Sequence, residues 1–128
     1  MSGPGEQRDL GEPVAYEALA RHTPVLSADG EQIGTVEHVL ADEREDVFDG
    51  IVIRRPVGHR HSHAFADADE IGSIYERGVV LKLGSAECES LPVPSANPAV
   101  MREDPSQKPY TPLQQKLLRA WELLSRGH

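Results

Sequence analysis

The sequence predicts a mainly β domain followed by a helix. The expected fold is a small antiparallel β-barrel of five to six short strands, with a C-terminal amphipathic helix. Three observations carry that expectation. Runs of Val, Ile and Leu recur between residues 24 and 83 at roughly ten-residue spacing, with turn residues between them. Glycines stand where a small sheet would have to bend. A helical period appears only after a proline-rich stretch beginning at Pro94.

The strands follow in order. Pro24-Val25-Leu26-Ser27 runs into Ala28-Asp29-Gly30, where Gly accepts the positive φ of a tight turn. Residues 33–41 form the next strand, and Gly34 marks a bulge or bend because Ile33, Val36, Val39 and Leu40 break strict alternation. The acidic stretch 42–46 predicts a solvated loop. Val47-Phe48 and Ile51-Val52-Ile53 form one strand interrupted at Asp49-Gly50. The run from Gly58 to His63 reads as a connection, and Ala64-Phe65-Ala66 as a short extended piece. Residues 71–75 lead to a turn at Glu76-Arg77-Gly78. Val79, Leu81 and Leu83 then alternate as a half-buried strand. Closure into a barrel would remove the exposed edges of such a sheet.

The 128 residues carry 38% apolar residues, which suffices for one modest core. The expected organisation is a disordered leader over 1–12, the barrel over 13–93, a Pro-rich linker over 94–111 and the helix over 112–126. The net charge of −8 argues against direct nucleic-acid binding, which needs cations to meet phosphates. That charge is uneven. Residues 22–94 hold 14 acids and 6 bases, whereas residues 95–128 hold 3 acids and 5 bases. The tail is therefore suited to dock on an acidic surface, its own or a partner's. Apolar runs are far shorter than the roughly 20 residues of a membrane span, and the Met-Ser-Gly-Pro-Gly-Glu start has no secretory character. The expected location is cytoplasmic. A single cysteine, Cys88, excludes an internal disulfide framework.

The segment Pro24 to Val36, with its Asp29-Gly30-Glu31-Gln32-Ile33-Gly34-Thr35-Val36 core, resembles the opening hairpin of the PRC-barrel family. The resemblance continues through an acidic turn, Ile51-Val52-Ile53, Asp69-Glu70-Ile71 and a last strand from Gly78 to Leu83. It covers roughly residues 22–93. The family includes the cytoplasmic domain of the photosynthetic reaction-centre H subunit and the C-terminal domain of a ribosome-maturation factor. The resemblance implies a β-barrel that serves as a protein-interaction module and not as an enzyme. It carries over neither specific role, since this chain has neither the membrane helix of the one nor the partner domain of the other.

Candidate chemistry is sparse. His59, His61 and His63 alternate, so an extended segment would set three imidazoles on one side, a set that suits Zn²⁺, Ni²⁺ or Cu²⁺. Fully extended, they would span about 13 Å, so one metal would require the loop to curl. A solvated polar loop and a pH-responsive loop are the other readings of the same residues. The acidic runs 42–49 and 67–70 lack the grammar of a calcium loop. Glu87 and Glu89 oppose thiolate formation at Cys88. No nucleophile elbow, phosphate loop or dinucleotide fingerprint occurs. These residues predict a non-enzyme that needs no cofactor.

The helix is the best-defined candidate. Thr111 caps it, Pro112 takes the first position and Gln114 completes a capping box. Leu113, Leu117, Ala120, Trp121 and Leu124 form an apolar stripe, with Lys116, Arg119, Glu122 and Arg126 on the other side. A lone helix of this length is marginal in water, so the stripe needs a surface. That surface is its own barrel, a second copy in a homo-oligomer, or a partner groove anchored by Trp121. Leu113, Leu117, Trp121 and Leu124 are therefore the candidate partner-binding residues. The leading expectation is a non-catalytic interaction module. The alternatives are a metal- or pH-responsive protein and an accessory factor of the ribosome or RNA metabolism.

Overall fold

In the computed structural model the described residues are 10–42, 44–45, 47–57, 60–94 and 111–126. They form β1 (Pro24–Leu26), β2 (Gln32–Asp42), β3 (Val47–Val57), β4 (Arg60–Asp67), β5 (Ile71–Tyr75), β6 (Gly78–Leu81), a four-residue helix α1 (Ser85–Cys88) and a long helix α2 (Pro112–Arg126). Of the expected leader over residues 1–12, residues 1–9 lie outside the described residues, as does most of the linker.

The strands make one six-stranded sheet in the order β4-β3-β2-β1-β6-β5. It is mixed and not wholly antiparallel, because β1 and β6 run parallel. Nor does the ladder close into a barrel, since the order begins at β4 and ends at β5. The sheet is nevertheless rolled. Only the 3₁₀ turn Ala68–Glu70 joins the two edge strands, so Asp67 and Ile71 stand at most about 15 Å apart. Both edges also feed one core: Ala64 and Ala66 of β4 pack in the same cluster as Ile71 of β5, Val25, Ile51, Ile53, Val79 and Leu81. Away from that corner, other segments cover the edges. The Val14 and Phe65 amides donate to the Ile74 and Pro92 carbonyls, and the Glu76 and Arg77 amides donate to those of Glu12 and Leu10. An edge sealed by short irregular segments avoids unpaired ladder groups without closure.

Local chemistry sets the first hairpin. The Ser27 hydroxyl accepts from the Asp29 and Glu31 amides, and Gly30 takes φ +93°. The register slips between Val25 and Leu26, next to Gly34. A Cβ at Gly34 would lie 2.4 Å from the Arg54 carbonyl oxygen, so glycine here permits close approach of β2 to β3. Asp29 also accepts from the backbone and hydroxyl of Ser85, which ties this turn to α1. Helix α1 in turn sends Cys88 into the core, where Leu91 joins it.

Asp49-Gly50, expected to interrupt a strand, lies within β3 instead. The register shifts between Leu40 and Ala41, which leaves Asp49 as the extra residue of a β-bulge, and Gly50 has φ +146°. The expected connection from Gly58 to His63 is also shorter. β3 runs to Val57 and β4 starts at Arg60, with Val57 paired to Arg60, Pro56 to His61 and Arg54 to His63. Continued pairing of this hairpin outweighs the polar composition that suggested a loop. The sequence from Ala64 to Ala66 lies in the second half of an eight-residue strand.

Candidate functional site

Alternation along β3 and β4 gives the sheet two apolar faces. Ile51, Ile53, Ala64 and Ala66 point into the roll, while Val52 and Phe65 point outward. With Leu40 of β2, the outward pair forms a small apolar seat, and α2 rests on it through Leu117 and Ala120. Leu123 and Leu124 pack at its margin. The capping box forms reciprocally: the Gln114 amide donates to the Thr111 hydroxyl at 3.1 Å and the Thr111 amide to Gln114 Oε1 at 2.8 Å.

The four candidate partner-binding residues are thus divided. Leu117 is buried and Leu124 half-buried against the sheet of the same chain, whereas Leu113 and Trp121 are each 41% exposed. The geometry of the helix explains the split. Residues four apart advance about 40° around the axis, so the row Leu113, Leu117, Trp121 drifts across the contact line. Leu113 lies in the first turn, before the contact begins, and Trp121 is carried past it.

Lys116 and Arg119, which the apolar stripe assigns to the opposite side, flank the contact. Lys116 Nζ lies 3.2 Å from both carboxylate oxygens of Asp67 and 3.9 Å from Asp49 Oδ1. Arg119 Nη2 donates to Asp49 Oδ2 at 2.9 Å. Long cationic side chains reach sideways along a helix and extend the apolar seat with polar clamps. The bulge puts Asp49 there, with its residue 8% exposed. Asp67 ends β4 and also accepts from the Asp69 amide, while Glu70 accepts from the Asp67 amide. Sequence motifs did not mark Asp49 and Asp67 as docking residues. The usable signal was the charge contrast between acidic domain and basic tail.

Of the three candidate metal-ligating histidines, only the side chain of His63 is among the described residues. His59 lies outside the described residues, as does the side chain of His61. His63 is half-buried, near Glu37. Burial raises the Glu37 carboxyl, but the Arg21 guanidinium bonded to it at 2.7 Å outweighs this, with His63 and His38 adding, and holds it below its usual range. Burial depresses the neighbouring His38, with Arg21 adding and Glu37 opposing. No group of three or more potential metal ligands occurs among the described residues. The Cys88 thiol is raised, by burial first, with Glu87, Asp29 and Glu89 adding and Arg55 opposing. Its buried position gives it no access to a substrate.

An open depression lined by Leu10, Arg21, His22, Thr23, Pro24, Glu76 and Arg77 lies where β1 begins, and His22 there has φ +74°. Its ionic groups are engaged locally, Arg21 with Glu37 and Arg77 with Glu76. Among the described residues no helix is long and apolar enough to cross a membrane. No protein-family model matches this sequence, and no curated protein matches it either.

Proposed function

We propose that this chain is a non-catalytic protein-interaction module of the PRC-barrel type, with α2 as its partner-reading element. The observation that carries the reading is the division of the α2 stripe: Leu117 and Ala120 fasten the helix, while Leu113 and Trp121 stay exposed beside it. A half-exposed tryptophan next to a leucine on a fixed helix is a suitable anchor for a protein surface. Self-association through the same edge would serve an assembly role.

The test is affinity capture from native lysate with quantitative mass spectrometry, using the full chain and its Leu113→Ala/Trp121→Ala variant. A specific partner retained by the first and lost by the second supports the reading. If neither form retains a partner and neither self-associates at micromolar concentration, the module reading fails. A partner held equally by both forms moves recognition to the sheet and removes α2 from the role.

A further inference from the structure

We infer that the outer sheet face beneath α2 is a docking groove for a basic amphipathic helix supplied in trans, and that α2 is its built-in, displaceable occupant. This rests on the reading of the chain as an interaction module but not on α2 as its reader, and assigns that module a second recognition surface with its own partner chemistry. The groove has an apolar floor of Leu40, Val52 and Phe65 and an acidic rim of Asp49 and Asp67. Its pattern of recognition is short. A cation, a leucine, a second cation and an alanine at positions i, i+1, i+3 and i+4 meet it, supplied here by Lys116, Leu117, Arg119 and Ala120.

Two features make the occupant displaceable. Among the described residues of α2, only Leu117 and Ala120 are fully buried, so the helix is fastened by a narrow contact. Among the described residues no strand follows it, and residues 95–111 separate it in sequence from the domain. A chain of that length can extend to roughly 55–60 Å, so the helix can leave the groove without moving the sheet. Because α2 belongs to the same chain, it competes for the groove intramolecularly, so the groove is closed until a competing helix arrives. The acid rim selects the competitor by charge. An acidic or neutral amphipathic helix would leave Asp49, nearly buried in its bulge, without a cation.

The test uses a fluorescein-labelled peptide of residues 111–128 and the full chain. Lys116→Glu/Arg119→Glu in the chain turns both clamps repulsive and frees the groove. Fluorescence anisotropy should then show the peptide binding the double variant at least tenfold more tightly than the wild-type chain, because closure no longer competes. Adding Asp67→Lys to the double variant should weaken the peptide again, since the groove then repels its lysine. A peptide that keeps only Lys116, Leu117, Arg119, Ala120 and Leu124, with alanine and glutamine elsewhere, should bind comparably. Equal affinity for wild-type and released chains overturns the proposal, as does equal binding of a peptide carrying Lys116→Glu/Arg119→Glu. Should the double variant unfold, hydrogen exchange on the wild-type chain decides. Saturating peptide must then raise exchange at the α2 amides, and unchanged protection overturns the proposal. The probe requires no cellular partner, so a positive result stands even if affinity capture finds none. A captured partner with a negative peptide result removes the groove and leaves the module.

Discussion

Gly50 is the hinge between the fold and the α2 seat, and replacing it with alanine tests the bulge directly. Its φ of +146° lies where side-chain-bearing residues are strained, at a cost of about 1–3 kcal/mol. The added Cβ would lie 2.3 Å from the Ala66 carbonyl oxygen and 2.6 Å from Phe65 Cζ. Neither can move freely: Ala66 is in the β3–β4 ladder and Phe65 is fully buried under α2. Forcing that atom into packed surroundings costs about 1–3 kcal/mol more. Gly50→Ala should therefore lose about 2–6 kcal/mol, which for a domain of this size lowers the melting temperature by roughly 8–25 °C. Circular dichroism melts and urea titrations measure it. Gly84→Ala is the control, because its φ of −72° is ordinary and the nearest atom is a carboxylate oxygen of exposed Asp29 at 3.3 Å. It should cost no more than about 1 kcal/mol. If Gly50→Ala melts within about 2 °C of the wild type, the bulge geometry and the placement of Asp49 derived from it are wrong.

Further expectations concern the seat and the titrating groups. A double-mutant cycle of Asp49→Ala with Arg119→Ala should give a coupling of about 0.5–1.5 kcal/mol, since the pair is short but Arg119 is partly solvated; its disappearance in high salt is the accompanying check. Phe65→Ala should cost about 3–5 kcal/mol, while Trp121→Ala, on the exposed edge, should change stability by less than about 1 kcal/mol. Stability should fall in two steps on acidification. His38 is depressed below its ordinary value of 6.5, so the unfolded chain takes up that proton first and stability drops as pH falls through about 6.5. Glu37 and Asp29 are depressed below ordinary carboxyl values, so their contributions are complete above those values and vanish as they protonate. His38→Gln should flatten the upper step and slightly reduce the Glu37 part of the lower one, read as melting temperature against pH.

Much of the local structure was legible because it depends on neighbours in the chain. Asp29-Gly30 specifies its turn through the Gly φ and the Ser27 hydroxyl. Thr111, Pro112 and Gln114 specify the start of α2 by capping chemistry alone. The alternation of Val79, Leu81 and Leu83 reads as a strand, and the structure forms it over Gly78–Leu81, ending before Leu83. Errors came where pairing outweighs composition. Arg60 to His63 is polar and looks like a loop, yet its backbone completes a ladder with Arg54 to Val57. Asp49-Gly50 looks like a break and is a bulge inside β3.

The candidate site was half legible for the same reason. An apolar stripe on α2 follows from a helical period, so Leu117 and Leu124 were found. That Lys116 and Arg119 share the contact depends on which acids the sheet offers, and those lie far away in sequence. Asp49 and Arg119 are 70 positions apart, and no window of sequence relates them.

By itself, then, the amino-acid order determined that the domain is mainly β, where most of its strands lie, that a capped amphipathic helix ends it, and that an acidic body faces a basic tail. These are properties of periodicity, turn chemistry and charge, which act over a few residues or over the whole composition. Tertiary structure decided the parallel pairing of β1 with β6, the roll that stops short of ladder closure, and the side of the sheet that receives α2. Each depends on contacts between distant segments, whose geometry is set only when every strand has found its register. The bulge at Asp49 is the clearest case: one extra residue in β3 re-aims a carboxylate, and that carboxylate gives α2 its place.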